Sequence, residues 1–277
     1  MSLKSKLGIK KGALILAGIN LLLFLLVFIP IYVINDLDNL YYYILKAGDY
    51  SRFFYFVSFL DEAFRWIAPV FSGVLLCRRY ASFGMKKTLT AGLMLSAASL
   101  VYTIPFCYLY AMSNGAYTVE ALLWGTFVSL VYMLVLYIQS IILFVIIKKT
   151  VCYFEAGVAL SEIPALKSAG SKKALMKKHM AKADEALAES LSSGGAFDFS
   201  SPGTLGVFFA SLFNFVIYLA REIVDTASYL KEYAGTYRAE EIGYMVFRFI
   251  FILALLFICH WICHFAKSKS EYFETEE

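Results

Sequence analysis

The sequence predicts an all-α, polytopic bundle of about six transmembrane helices, with both termini cytoplasmic and one amphipathic cytoplasmic helix between the fourth and fifth spans. Three observations carry that prediction. The 277-residue chain is 60% hydrophobic and only 17% charged, against about 45–50% apolar and about 25% charged in a soluble domain. Its apolar residues fall into six runs near the length that a helix needs to cross hydrocarbon, about 20 residues. Its lysines and arginines collect on alternate connections between those runs.

The composition comes first because it decides the solvent. A water-soluble globule of this size exposes too much surface to hide so many apolar side chains; lipid removes that conflict. The 25 Phe and 20 Tyr suit side chains that face lipid tails and the interface. None of the runs alternates apolar and polar residues as barrel strands do. Helices therefore remain as the way to satisfy the backbone in hydrocarbon.

The first span is expected from about Gly12 to Ile34, behind a basic start. That run is too long for a signal-peptide core and lacks a small-residue cleavage site, so it reads as a retained anchor. The second is expected from about Phe54 to Leu76, the third from about Leu89 to Met112, and the fourth from about Ala121 to Ile147. After a long polar connection come the fifth, about Leu205 to Ala220 and the shortest, and the sixth, about Gly243 to Phe265. The chain thus divides into spans 1–4 over residues 1–149, a basic loop over 150–204, spans 5–6 over 205–266 and an acidic tail over 267–277. An Ile-Pro pair followed by tyrosine occurs at Ile29-Pro30 and again at Ile104-Pro105. This is a weak echo of the internal repeats of transporters, and the four-and-two division of the spans does not favour an inverted repeat.

Charge placement orients the bundle. Lys4, Lys6, Lys10 and Lys11 precede the first span; Arg78, Arg79, Lys86 and Lys87 separate the second and third. Eight lysines between Lys148 and Lys182 follow the fourth, and Lys267 and Lys269 follow the sixth. These eighteen cations lie on one side of a six-span chain, against Lys46, Arg52, Arg221, Lys231 and Arg238 on the other. The positive-inside rule puts the eighteen in the cytoplasm.

Within the loop, Ser171 is a plausible N-cap. Met176, Met180, Ala183, Leu187 and Leu191 then recur at helical spacing up to Gly194-Gly195, which predicts an amphipathic helix over 171–191. Its lysines crowd the first half and its acids the second, opposing the helix dipole. A docked protein partner or an anionic lipid surface would account for that order; an ordinary solvated helix is the alternative.

Charges inside hydrocarbon are costly and are functional candidates by default. Asp61, Glu62 and Arg65 form the densest set. Asp61 and Arg65 are i,i+4 neighbours, Glu62 and Arg65 i,i+3, so one arginine faces two carboxylates. Pro69 removes the backbone donor to the Arg65 carbonyl. The cluster reads either as a binding point for an ion or polar solute or as an internally neutral ion pair that locks packing. Asn20, Asn214 and Arg248 are the further candidates; amides in spans commonly hydrogen-bond across helices, and Arg248 sits near the outer edge where it can snorkel.

The sixth span ends Cys259-His260-Trp261-Ile262-Cys263-His264. Cys259 with Cys263, or His260 with His264, shares a helix face and offers two metal ligands. Cys77, Cys152, Cys259 and Cys263 all fall near the expected inner face, yet small apolar residues at helix ends in a reducing compartment explain them as well. The five cysteines form no disulfide framework, and no cofactor is implied.

A net charge of +4 is too small to argue for nucleic acid. No P-loop, H-E-x-x-H, G-x-S-x-G or T-V-G-Y-G motif occurs, which removes the common nucleotide, zinc-hydrolase, serine-hydrolase and potassium-filter readings. A transporter, permease or channel subunit, alone or in a larger complex, is the leading expectation. A non-catalytic anchor that recruits a partner through the loop comes second. A membrane enzyme using Asp61 or Glu62 as acid or base comes third, because it lacks a recognisable nucleophile or metal.

Overall fold

The structure is a computed structural model that describes residues 3–28, 47–80, 85–113, 115–161, 173–179, 198–232 and 239–268. Among the described residues it is all-helical. The helices are α1 (Leu3–Phe28), α2 (Ala47–Tyr80), α3 (Met85–Ala97), α4 (Leu100–Ser113), α5 (Thr118–Ser161), α6 (Pro202–Glu232) and α7 (Ala239–Ser268), with a short helical segment at 173–179. Ile9–Leu26, Thr118–Gly157 and Pro202–Ser228 are long and apolar enough to cross a membrane, and the bent pair α3–α4 makes a fourth if it counts as one span. The expected second span is a helix, but Asp61, Glu62 and Arg65 interrupt its apolar run. The apolar stretch of α7 at Phe249–Ile262 is shorter than a full crossing. These apolar helices are compatible with a membrane protein.

The helices leave large apolar side chains uncovered. Along α5, Leu123 is 67% exposed, Phe127 59% and Val135 54%. A row of such side chains along one helix is compatible with an apolar surrounding.

Packing divides the chain into two compact units, Met1–Ser72 with Met85–Ile141, and Gly73–Gly84 with Ile142–Glu277. The division falls inside α2 and α5 rather than at the polar loop.

In the first unit α1 packs on α3 and α4. Its buried stripe of Ile9, Gly12, Leu16 and Leu23 follows the three-and-four spacing of a helix face, and Asn20 completes it. The expected third span breaks at Ala98-Ser99 and bends by 44°. The cause is local. The Ser99 hydroxyl donates to the Ser96 carbonyl at 2.7 Å and the Thr103 hydroxyl to the Ser99 carbonyl at 3.1 Å. The Ala98 and Ser99 amides turn to i−3 carbonyls. Side-chain competition of this kind bends helices, and Pro105 withdraws one more donor downstream.

α4 closes on Gly115, whose φ of 84° suits a residue without Cβ. The Ala116 amide bonds the Ala111 carbonyl at 3.1 Å and the Gly115 amide the Met112 carbonyl at 3.0 Å, a Schellman stop. The chain then reverses into α5, where a Cβ built on Gly125 would lie 2.8 Å from the Tyr108 amide nitrogen. The two helices approach that closely only because the residue is glycine.

In the second unit α6 and α7 pack together. Small residues again set the contacts: a Cβ on Gly206 would come 3.0 Å from Val151, and one on Gly73 3.2 Å from Leu143. The Cys77 thiol donates to the Phe144 carbonyl at 3.3 Å. Pro202 stands at the first helical position of α6, where its missing donor costs nothing, and the Leu205 amide bonds the Ser201 carbonyl at 3.1 Å.

α1 and α2 begin before the expected spans, at Leu3 and Ala47, and two C-terminal boundaries lie furthest from the expectation. α5 runs to Ser161 rather than stopping before Lys148-Lys149, and buries Val151, Cys152 and Ala156. Lysine is a good helix former, so a change of solvent is not a helix stop; the next breaker is Pro164. α6 continues to Glu232 rather than Ala220 for the same reason. Of the amphipathic loop helix, 173–179 is helical; Ser171, Met180 to Leu191 and Gly194-Gly195 lie outside the described residues, as do Ile29-Pro30 and the tail beyond Ser268.

Candidate functional site

Arg65 organises the first unit. It sits near the middle of α2, and its Nε donates to Asp61 Oδ2 at 2.9 Å, the i,i+4 pair that the spacing implies. The Tyr102 hydroxyl donates to the same carboxylate oxygen at 3.5 Å. The guanidinium carbon lies 4.9 Å from the Tyr102 ring centre and 5.5 Å from that of Tyr132, two cation–π contacts from different helices. Tyr102 is fixed in turn by Phe106, stacked at 5.4 Å, and by Phe24, edge-on at 6.2 Å. Aromatic packing therefore orients the group that holds the charge.

Arg65 and Tyr102 line a small, partly open cavity of about 30 Å³, room for about two water molecules. Asn20, Ser72, Ser96, Ser99, Thr103, Tyr132 and Ser140 supply polar lining, and Leu16, Leu95, Leu136 and Pro69 apolar lining. Several hydroxyls already donate to their own helices: Ser99 and Thr103 as above, and Ser140 to the Leu136 carbonyl at 2.7 Å. Asn20 donates to the Leu16 carbonyl at 2.8 Å. Such bonds satisfy the donor and leave the oxygen lone pairs available.

The structure thus brings Asn20, Asp61 and Arg65 to one site. Glu62 is half-buried on the same helix and is not among the cavity's lining residues. The partners that the sequence reading did not name are Tyr102, Tyr132, Ser99, Thr103 and Ser140. Tyr102 stands 41 positions from Asp61, and no local pattern signals that pairing.

Asn214 belongs to the second unit, where it is 1% exposed. It shares a face of α6 with Val207, Ser211 and Glu222, all buried. Glu222 lies past the expected end of the span; its helical phase with Ser211 and Asn214 is the signal that would have found it. The Arg248 side chain lies outside the described residues.

Among the described residues, no three His, Cys, Asp or Glu side chains come together to hold a metal. Cys259 is buried beside the Ser211 hydroxyl at 3.8 Å. His260, 1% exposed, stacks on Phe199 at 5.9 Å and meets Phe208 edge-on at 5.5 Å. The Cys263 and His264 side chains lie outside the described residues. No protein-family model matches the chain, and no curated protein or solved structure is similar enough to count as a relative.

Proposed function

We propose that this chain is a multi-pass membrane protein that crosses the bilayer six times and moves a small polar solute or ion through its first unit. The spans are α1, α2, the bent pair α3–α4, α5, α6 and α7, with both termini and the basic loop cytoplasmic. One observation carries the reading: the Arg65 side chain, near the middle of α2, lines a hydroxyl-rich cavity and sits between aromatic rings. Pairing with Asp61 at 2.9 Å already neutralises the charge, and an ion pair that only locks packing needs no hydroxyl lining beside it. A charge kept beside a polar cavity supports a path for something polar.

The test is reconstitution of the purified chain in vesicles, with Asp61→Asn and Arg65→Gln measured for helicity and for flux. Normal folding with lost flux is the expected result; loss of folding alone, with wild-type flux in any folded fraction, refutes the transport reading. Orientation is tested by a fluorescent reporter that matures only in the cytoplasm, fused after Glu277: fluorescence is expected, and its absence refutes the topology.

A second reading, recruitment of a partner or an anionic lipid surface through the loop at 171–191, has one observation in its favour. Lys173, Lys177 and Lys178 stand exposed on the helical segment at 173–179, while Leu175 and Met176 are half-covered.

A further inference from the structure

The geometry points to a site for a small monovalent inorganic anion of the chloride class in the cavity beside Arg65. This assignment rests on the transport reading for its biological sense, but not for its chemistry.

Sign, size and reach lead to it. Among the residues that line the cavity, Arg65 carries the only formal charge; Asp61 holds the guanidinium from outside that lining. The carboxylate takes the Nε donor, and a guanidinium has five N–H groups. Donors at its far end are therefore left for a ligand in the cavity. The rings of Tyr102 and Tyr132, with centres 4.9 and 5.5 Å from the guanidinium carbon, hold the group and limit its retreat towards a headgroup.

The enclosed part of the cavity, about 30 Å³, matches an occupant of one or two water molecules' size, which a halide is. The hydroxyls could be read against an anion, since Ser99, Thr103 and Ser140 donate to backbone carbonyls. Charge reverses that preference. A hydrogen bond to an ion is roughly twice as strong as a neutral one, and the carbonyls that are given up belong to helices with their own amide donors. A bound anion thus turns the hydroxyls of Ser99 and Thr103 towards itself. The neighbouring Asp61 opposes the anion and keeps binding weak, as a species that must leave again requires.

The experiment compares thermal unfolding of the full chain in detergent with sodium chloride or sodium gluconate at equal ionic strength. Chloride is expected to raise the midpoint, and gluconate, whose charge sits on a bulky hydroxylated chain, to leave it unchanged. Arg65→Gln is expected to abolish the chloride response. The double variant Ser99→Ala/Thr103→Ala, which keeps the cation in place, is expected to require several-fold more chloride. Asp61→Asn is expected to respond at several-fold lower chloride. Equal effects of chloride and gluconate, or a wild-type response in the folded double variant, overturn the assignment. Vesicle flux separates this site from the transport reading. Flux of a cation or organic solute without a chloride response overturns the anion assignment and leaves transport standing. A chloride-specific response that Arg65→Gln abolishes, without flux of any solute, supports the assignment and removes transport.

Discussion

Replacing Gly125 by alanine tests the close approach of α4 and α5 against a control within the same unit. At Gly125 the new Cβ would stand 2.8 Å from the Tyr108 nitrogen and 3.2 Å from the Cys107 carbonyl carbon. Ordinary contact begins at 3.4 Å, so one helix must move by roughly 0.6 Å or tilt, and both obstructing atoms are backbone. Overpacking of that kind costs about 1–3 kcal/mol, against a gain of about 1 kcal/mol for alanine over glycine in a helix. At Gly18, on the uncovered face of α1, a Cβ meets nothing within 4 Å, so only the gain remains. The two variants are expected to differ by the overpacking cost, about 5- to 150-fold in the unfolding equilibrium. Titration with a denaturing detergent, followed by circular dichroism, reads both. If Gly125→Ala is stabilised as much as Gly18→Ala, the helices are not in contact there and the packing argument fails.

Three further outcomes follow from the same contacts. Asp61→Asn weakens the charge-assisted bond to Arg65; with that side chain 37% exposed, the cost is expected between the values for exposed and buried pairs, about 1–2 kcal/mol. Tyr102→Phe, which removes only a 3.5 Å contact to Asp61, is expected to cost under about 1 kcal/mol, and an equal loss in the two variants would contradict the assigned geometry. His260→Ala empties the space between Phe199 and Phe208 and is expected to cost about 2–5 kcal/mol, whereas the flat ring of His260→Phe refills that space and is expected to cost less; thermal unfolding distinguishes the two. With a membrane-permeant thiol reagent and mass spectrometry, the half-buried Cys107 is expected to react ahead of Cys77, Cys152 and Cys259, which are buried, and prior reaction of Cys77 would contradict the α2–α5 contact.

The helices and their apolar character were legible in the sequence because both are local. Transfer free energy adds residue by residue, and an i,i+4 pair such as Asp61–Arg65 follows from helical geometry alone. The C-terminal ends of α5 and α6 were less legible, since Lys148-Lys149 and Arg221-Glu222 alter hydropathy without stopping a helix. What tertiary structure alone decided is which residues meet. The aromatic clamp of Tyr102 and Tyr132 on Arg65, the hydroxyl-lined cavity, the burial of His260 between phenylalanines and the approach at Gly125 each join segments far apart in the chain. Such contacts depend on how each helix is rotated about its axis and which neighbour it selects. Hydropathy is nearly blind to both, because a lipid-facing leucine and a buried one read alike in the sequence.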